Sequence, residues 1–475
     1  MPAFAYLMLM IWPVVTAVIF NRMDRQHALV WTILAGYLLL PPAIEIDLPA
    51  VPGINKAMIP ALSAGLMLWM RRDPAGAGTA PRPLPMGPVV VLLMVMNLTS
   101  PLLTMLTNPD PLFDGIVVRP GMSLTKGIAD TLLTGLQMLP FLMGYRVLGD
   151  ARGAGIVLRA LVTGLLAYSL PMLFELRFSP QTNIIVYGYF QHDFIQTIRY
   201  GGYRPIVFLE HPLWVALLTM CAFLAAIALA RNDRTARNIL IACYLGCLVV
   251  LCKSAGALIQ TLMAAPLVAL ARPRMMVLVA SLVAGVAFAY PTLRTTSWVP
   301  IDSIVDLAMS ISPDRGRSLE FRLMNEERLV ERAMERPAFG WGGWGRPLFY
   351  DPNDGRLDSV PDGQWIVWLG ARGIYGYLAI FLLLIVPIWT MLRAMPRGAA
   401  PGREPEMVML GTLSLMLAMN CLDLIPNATQ TPVTWLLAGT LLGNARRLLA
   451  GAENPSSEPL ADRILPKRAG ITTVL

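Results

Sequence analysis

Residues 364–392 read QWIVWLGARGIYGYLAIFLLLIVPIWTML and contain one charged side chain, Arg372, in 29 positions. A helix needs about 20 mainly apolar residues to cross the hydrocarbon core of a bilayer. No water reaches backbone polar groups there, so a single apolar run must satisfy them internally, as an α-helix does. This stretch therefore predicts a transmembrane helix and decides the class of fold.

The same pattern recurs along the chain. Hydrophobic residues make up 56% of the sequence, charged residues only 14%, and mean hydropathy is +0.58. Soluble domains usually carry about 25% charged residues, and apolar runs of about 20 residues lack the alternation of a membrane barrel. We therefore expect an all-α fold, a polytopic transmembrane helix bundle of about 12 to 13 spans within residues 1–450. The other candidate spans are residues 3–20, 28–40, 57–70, 86–106, 125–148, 156–174, 212–230, 238–251, 255–271, 275–290, 407–424 and 432–448.

Basic residues predict the orientation of this bundle. The first apolar run has no basic residue before it and is followed by Arg22 and Arg25, the reverse of a secretory signal peptide. Threading the spans from an outside N-terminus places 15 Lys and Arg in short cytoplasmic connections and fewer than half as many in short outside loops. Residues 451–475 then form a disordered cytoplasmic tail.

Two predicted outside loops, residues 175–211 and 291–363, are far longer than the usual connections of a compact bundle. Long loops of this kind commonly carry function, so we expect the site there. The second loop contains an amphipathic helix over residues 318–336, with an apolar stripe opposite a dense charged face. Arg328 with Glu331 and Arg332 with Glu335 are spaced as salt bridges, which favours a solvated face.

The composition argues against a metal site, a disulfide framework and a nucleic-acid partner. All five cysteines lie within or at the end of apolar runs, and the three histidines show no metal-binding spacing. The formal net charge of +8 comes largely from arginines between apolar runs, where they set orientation. We expect no disulfide framework, metal, cofactor or nucleic-acid partner.

Residues 340–345, GWGGWG, match G-x-G-x-x-G but follow an amphipathic helix rather than a strand. A dinucleotide site is therefore not expected, and the glycines indicate a turn with positive φ. Trp341 and Trp344 are candidates for stacking on the apolar face of a sugar. The alternative is that they cover apolar surface or lie at the membrane boundary.

Basic residues in the outside loops are candidate anion ligands. Residues 175–211 combine eight aromatic side chains, Tyr203 among them, with Arg177, Arg199 and Arg204. Arginine binds phosphate bidentately and aromatic rings hold sugars, a combination suited to a sugar on a lipid diphosphate. Lys253 follows an apolar run and is a further candidate. The alternative makes all of them interfacial anchors with snorkelling side chains.

Asp362 precedes the span at residues 364–392 and stands near Trp365. A carboxylate just outside the bilayer is a candidate general base, since desolvation raises its pKa. It equally suits the N-cap of the following helix.

Several of these pieces together resemble the O-antigen ligase and O-antigen or exopolysaccharide polymerase family, over roughly residues 199–376. Residues 204–212, RPIVFLEHP, are similar to an arginine element before an outward-facing helix start, and residues 253–256, KSAG, stand where members carry a basic residue beside Ser and Gly. Arg322, Glu326, Pro337, Gly340 and Gly342 resemble a loop helix that ends in proline and a Gly-x-Gly turn.

The last piece of the resemblance is also a departure. Asp362 lies 11 residues before Gly373, the spacing at which many members place a histidine, but this chain has Asp-Gly-Gln where they have His-Asn. A histidine base is therefore not carried over, and Asp362 is the catalytic candidate.

The resemblance implies a metal-independent glycosyltransferase of the bacterial inner membrane with its active face in the periplasm. Its donor would be a polyprenyl-diphosphate-linked glycan in the membrane lipid, and its acceptor a sugar hydroxyl. Arg204 and Lys253, supported by Arg199 or Arg177, would stabilise the diphosphate leaving group. The Asp-Gly-Gln variant favours a polymerase over a ligase, with other polysaccharide assembly and export proteins as further partners.

Two other interpretations stay open. A transporter or flippase for a lipid-linked sugar predicts charges in the middle of spans or paired broken helices, for which Arg159 and Arg372 are candidates. A non-catalytic subunit of an export complex would leave the basic residues without a chemical role.

Overall fold

The computed structural model describes residues 3–48, 51–71, 84–295, 301–311, 313–343, 345–398 and 401–453. It is 72% helical, and every one of the 13 apolar segments coincides with a helix. The 16 helices in the described ranges are α1 Ala3–Arg22, α2 Arg25–Leu39, α3 Ile59–Met70, α4 Pro88–Leu106, α5 Leu124–Val147, α6 Ala151–Phe178, α7 Thr182–Tyr187, α8 Pro212–Asn232, α9 Ala236–Leu251, α10 Ala255–Leu270, α11 Pro273–Thr295, α12 Ile301–Ile311, α13 Pro313–Met334, α14 Gln364–Ala394, α15 Glu404–Asp423 and α16 Pro432–Glu453.

Seven described helices are long and apolar enough to cross a membrane, namely α1, α4, α6, α8, α11, α14 and α15. The expectation of a multi-pass helical membrane protein is confirmed by the number and length of these apolar helices.

Burial separates the helices into layers. The apolar stretch of α15 is 83% buried and that of α1 only 28%, so α15 lies in the core and α1 at the periphery. Large exposed apolar side chains on the outer helices, such as Val89, Leu92 and Leu262, form the surface that lipid would cover.

In the described part of the chain, three short antiparallel hairpins interrupt the helical fold, and the sequence did not predict them. They pair β1 Glu45–Leu48 with β2 Val51–Asn55, β3 Leu112–Asp114 with β4 Val117–Arg119, and β5 Ile198–Arg199 with β6 Gly202–Tyr203. Each hairpin follows α2, α4 or α6 and precedes the next apolar helix. We call the end of the bundle where α2, α4 and α6 finish the loop end.

The long loops are more structured than their composition suggested. The helix predicted over residues 318–336 corresponds to α13, which begins at Pro313 and ends at Met334. Arg332 pairs with Glu335 at 3.1 Å as the spacing predicted, but Arg328 pairs with Asp358 at 2.8 Å instead of with Glu331. Most of the predicted tail lies outside the described residues, which end at Glu453 within α16.

Helix α14 is broken at Gly373, where φ is +62° and ψ is −170°. Residues 337–342, which follow α13, form backbone hydrogen bonds with the residues on either side of the break. Trp341 and Gly342 donate to the carbonyls of Gly370 and Ala371 at 2.8 and 2.9 Å, and residues 374 and 375 donate to the carbonyls of residues 337 and 338. Irregular backbone at membrane depth is tolerated only where protein satisfies it. The Gly-x-Gly turn at residues 340–342 therefore satisfies backbone groups that the break in α14 leaves without helical partners.

Candidate functional site

A cavity of about 710 Å³ opens at the loop end, where segments distant in sequence meet. We call it the basic cavity, because four cations and two carboxylic acids line it, giving +2 when all are ionised and both histidines are neutral. The cations are Arg199, Arg204, Lys253 and Arg322, the acids are Glu210 and Asp362, and the histidines are His192 and His211.

The backbone that carries Arg204 is fixed by a buried carboxylate. Glu175, at the end of α6, is 0% exposed and accepts the N–H groups of Ile206 and Val207, each at 2.8 Å, and that of Thr182 at 3.1 Å. Val207 has φ of +51°, an unfavourable conformation for a β-branched residue. Such strain persists where the surroundings over-determine the conformation, as the bonds from Ile206 and Val207 to Glu175 do here.

Further side chains hold the same segment from other elements. The hydroxyl of Tyr168 accepts the N–H of Phe208 at 3.0 Å, and buried Lys56 donates to the Phe208 carbonyl at 2.6 Å. Gln191 donates to the carbonyls of Val207 and Leu209 at 2.9 and 3.0 Å. Residues 206–209 are thus a rigid support rather than a mobile loop.

Arg204 is 3% exposed, and its Nε donates to the Cys252 carbonyl at 3.4 Å. Its Nη2 is buried without a hydrogen-bond partner among the described residues. Burial, reinforced by the nearby Arg199, lowers the pKa of Arg204 to about 10, so it stays protonated at neutral pH. A buried guanidinium with an unused donor suits an incoming anion.

Lys253 and Arg199 complete the cationic wall. Lys253 has φ of +51°, and its Nζ forms no hydrogen bond or ion pair with a described residue. Nζ lies against Gly202 so closely that a Cβ at position 202 would overlap it. Arg199 is exposed on β5 of the hairpin that contains Gly202. The hairpin therefore carries Arg199 and contacts Lys253 through Gly202.

Asp362 also lines the basic cavity, with Oδ2 3.4 Å from Arg322 Nε on α13. Burial raises the pKa of Asp362 above its usual value of 3.8, and Arg322 partly opposes this rise. The N-cap of α14 is Gly363, without a side-chain cap. The interpretation of Asp362 as the helix N-cap is therefore wrong, because its carboxylate turns to α13 instead.

The histidines of the basic cavity are not free bases. His211 caps α8: its Nδ1 accepts the N–H of Leu213 at 3.0 Å, so Nε2 carries the proton toward Gln196 Oε1 at 2.9 Å. Burial, then the charges of His192 and Arg204, lower the pKa of His211 to about 3. A neutral imidazole with both nitrogens engaged positions the start of α8.

Several sequence candidates lie elsewhere. Arg177 is exposed and stacks on Phe178, 5.4 Å from the ring centroid, without lining the basic cavity. Tyr203 is half-buried against Phe194, at 6.4 Å between centroids, and does not line it either. Trp344 lies outside the described residues.

Trp341 is 5% exposed and does not line the basic cavity. The guanidiniums of Arg332 and Arg336 lie 4.0 and 4.5 Å from its ring centroid, and its Nε1 donates to the Arg332 carbonyl at 2.6 Å. Its ring is thus already covered by Arg332 of α13 and by Arg336 just after that helix, which leaves no open face for a sugar.

Sequence reasoning about the site missed Glu175, His211 and the role of Arg322. The sequence singled out Arg322 only as part of the loop helix and of the family resemblance, and nothing local indicated that it meets Asp362. The described residues contain no group of three or more His, Cys, Asp or Glu that could hold a metal ion. The chain matches no protein-family model and no curated protein.

Proposed function

We propose that the protein is a membrane glycosyltransferase of bacterial surface polysaccharide synthesis. It transfers a glycan from a polyprenyl diphosphate to a sugar hydroxyl on the periplasmic face of the inner membrane. One observation carries the proposal. Arg199, Arg204, Lys253 and Arg322 come from three separate segments and line one cavity together with Asp362, at the end of an apolar helix bundle.

The chemistry follows from charge. In the transfer, the bond between the anomeric carbon and the diphosphate oxygen breaks while the acceptor oxygen bonds to that carbon. Negative charge develops on the diphosphate, and fixed cations stabilise it better than reorganising water does. Arg204, Lys253 and Arg199 form this clamp. The acceptor hydroxyl loses its proton to Asp362, whose raised pKa makes it a better base than an ordinary carboxylate.

The orientation rests on the positive residues at the opposite end of the bundle. Arg71, Arg146, Arg231, Arg274 and Arg393 all lie at or beside the short connections there. The positive-inside rule assigns that end to the cytoplasm and the loop end, with residues 175–211 and 291–363, to the periplasm. We propose thirteen crossings, with the short helices α2, α3, α9 and α10 spanning a locally thinned bilayer.

A lipid-linked glycan transporter is the second candidate, because α14 is broken at Gly373 beside Arg372, as in transporters with discontinuous helices. Such folds usually break two helices in corresponding positions. Among the described helices, α14 alone contains a residue with non-helical backbone angles. The cluster of cations with Asp362 therefore favours the transferase. A non-catalytic export subunit would leave that cluster without a purpose.

The deciding experiment supplies purified protein in nanodiscs with a polyprenyl-diphosphate oligosaccharide and measures glycan length together with free polyprenyl diphosphate. A polymerase lengthens the glycan and releases one diphosphate lipid for each transfer. Movement of intact donor across liposomes without release would support the transporter instead. Arg177→Ala serves as the matched control, since it removes a nearby arginine that does not line the basic cavity.

A further inference from the structure

A second cavity, of about 510 Å³, lies beside the basic cavity. Trp214, Pro361 and Ala428 line both, so the two spaces share a wall. Its lining is different in character. It combines amides and hydroxyls with tryptophan side chains, and its charged residues are Arg372 and the ion pair of Lys126 with Asp130. We call it the inner cavity, since its polar residues lie deeper in the bundle.

The depth of these polar groups can be read from the helices. Arg372, Thr134 and Asn97 stand eight to ten residues from the loop ends of α14, α5 and α4. At 1.5 Å per residue this is about 12 to 15 Å inside the bundle. Polar and charged groups at such depth are costly in a membrane protein and usually mark a ligand or ion path.

Arg372 has hydrogen-bond partners but no counter-ion. Its guanidinium donates to Thr134 Oγ1 at 2.8 Å and to Asn97 Oδ1 at 3.4 Å. No described carboxylate lies within ion-pair distance. Asp130 lines the same cavity but is paired with Lys126 at 2.9 Å. Because these two charges offset each other, Arg372 leaves the inner cavity with one net positive charge, which an anionic ligand would balance.

The rest of the lining suits a sugar. Gln137, Gln364 and Gln430 present amides, and Gln430 Nε2 is buried without a hydrogen-bond partner among the described residues. Trp368 and Trp435 add apolar surface of the kind on which pyranose rings pack. The volume lies within the about 300 to 1,000 Å³ typical of ligand sites.

We infer that the inner cavity binds a sugar unit that carries one carboxylate, such as a uronic acid, with that carboxylate on Arg372. The inference rests on the proposed function, because it assigns this sugar to the glycan whose diphosphate occupies the basic cavity. Charge decides between the two ligand groups. A diphosphate with at least two negative charges matches the net charge of +2 in the basic cavity, whereas a single carboxylate matches the net charge of +1 in the inner cavity, where Arg372 and Lys126 face Asp130.

The test is calorimetric binding to the full-length protein in nanodiscs, without turnover. The probes are an oligosaccharide containing glucuronic acid and the same oligosaccharide with its carboxyl group reduced to the alcohol. We expect the acidic probe to bind about 10- to 100-fold more tightly, as for loss of one charged hydrogen-bonded pair. Equal affinity of the two probes for the wild-type protein would overturn the inference without any variant.

Arg372→Gln should abolish the preference for the acidic probe, while Arg177→Ala should retain it. Retention of the preference in Arg372→Gln would overturn the assignment of the carboxylate to Arg372. Inorganic diphosphate should not displace the acidic probe, because it belongs in the basic cavity, and displacement would place Arg372 in the phosphate clamp instead. Acidic-probe binding with no glycan transfer would refute the transferase and leave the inner cavity as a sugar site.

Discussion

Asp362 Oδ2 lies 3.4 Å from Arg322 Nε, which joins the entrance of α14 to the middle of the loop helix α13. Both side chains are about one third to two fifths exposed, so the pair adds little to stability by itself. Its importance is positional. Because Arg322 holds the carboxylate away from the N-terminus of α14, Asp362 faces the basic cavity rather than capping a helix.

Asp362→Asn should lower glycan transfer by about 10²- to 10⁴-fold, because an amide of the same shape cannot accept the acceptor proton. The measurement is polymer formation at matched protein level in nanodiscs. Asp358→Asn is the control, since Asp358 lies four residues away, pairs with Arg328 and does not line the basic cavity. Near wild-type transfer by Asp362→Asn would show that Asp362 is not the general base.

The pH profile should follow the same carboxylate. A base works in its ionised form, so transfer is lost as pH falls through the pKa of Asp362, which burial raises above 3.8. Arg322 lowers that pKa, so Arg322→Gln should move the acidic limb of kcat/KM to higher pH. An acidic limb at the same pH in both proteins would show that another group controls the rate.

Arg204→Ala should reduce kcat by about 10²- to 10³-fold, the usual loss when one charge-stabilising donor is removed from an active site. Arg204→Lys should recover only part of the activity, because an ammonium cannot make the bidentate contact. Arg177→Ala, with an arginine outside the basic cavity, should transfer normally. Full activity of Arg204→Ala would return this residue to the role of an interfacial anchor.

The sequence predicts the features that depend on neighbouring residues, but not the contacts between segments that are distant in the chain. Apolar runs report membrane helices directly, so all thirteen segments coincide with helices. Arg204, Lys253, Arg199 and Asp362 were recognisable as charged residues in the outside loops or at helix ends, and all four line the basic cavity. Their meeting with Arg322 depends on how α13 packs, which no local pattern encodes.

The sequence candidates that do not line the basic cavity lie elsewhere for physical reasons. Trp341 stands in a glycine-rich turn, which suggests an exposed ring, yet Arg332 of α13 and Arg336 just after that helix cover the ring. Arg177 was grouped with the loop arginines, but α6 continues to Phe178 and carries it outward on its last turn. Glu175, three residues before that helix end, looked like an ordinary boundary charge and is instead the buried acceptor of three backbone N–H groups.

Glu175→Gln tests this buried acceptor. An amide NH₂ cannot accept a hydrogen bond, so one or more of the N–H groups of Thr182, Ile206 and Val207 loses its partner. Each unsatisfied buried donor costs about 1 to 3 kcal/mol. We expect lower thermal stability together with reduced transfer, because the support of Arg204 loosens. Glu331→Gln, at an exposed position on α13, is the control. Unchanged stability in Glu175→Gln would show that the support does not depend on the carboxylate.

The break in α14 gives the last prediction, which concerns folding rather than chemistry. At Gly373 the φ of +62° is unfavourable for any residue with a Cβ. An added Cβ would also lie 2.6 Å from the Ala338 carbonyl and from Gly340 N, on the segment that repairs the break. Gly373→Ala should therefore disrupt the paired backbone bonds and lower both the yield of folded protein and its melting temperature.

Gly285→Ala is the matched comparison, because Gly285 lies within α11 and an added Cβ there meets no atom within 4 Å. Alanine favours a helix over glycine by about 1 kcal/mol, so this variant should be neutral or more stable. The measurement is thermal unfolding of both variants in the same detergent. A Gly373→Ala protein as stable as Gly285→Ala would mean that α14 can straighten, and that the Gly-x-Gly segment is not required to hold Arg372 at the inner cavity.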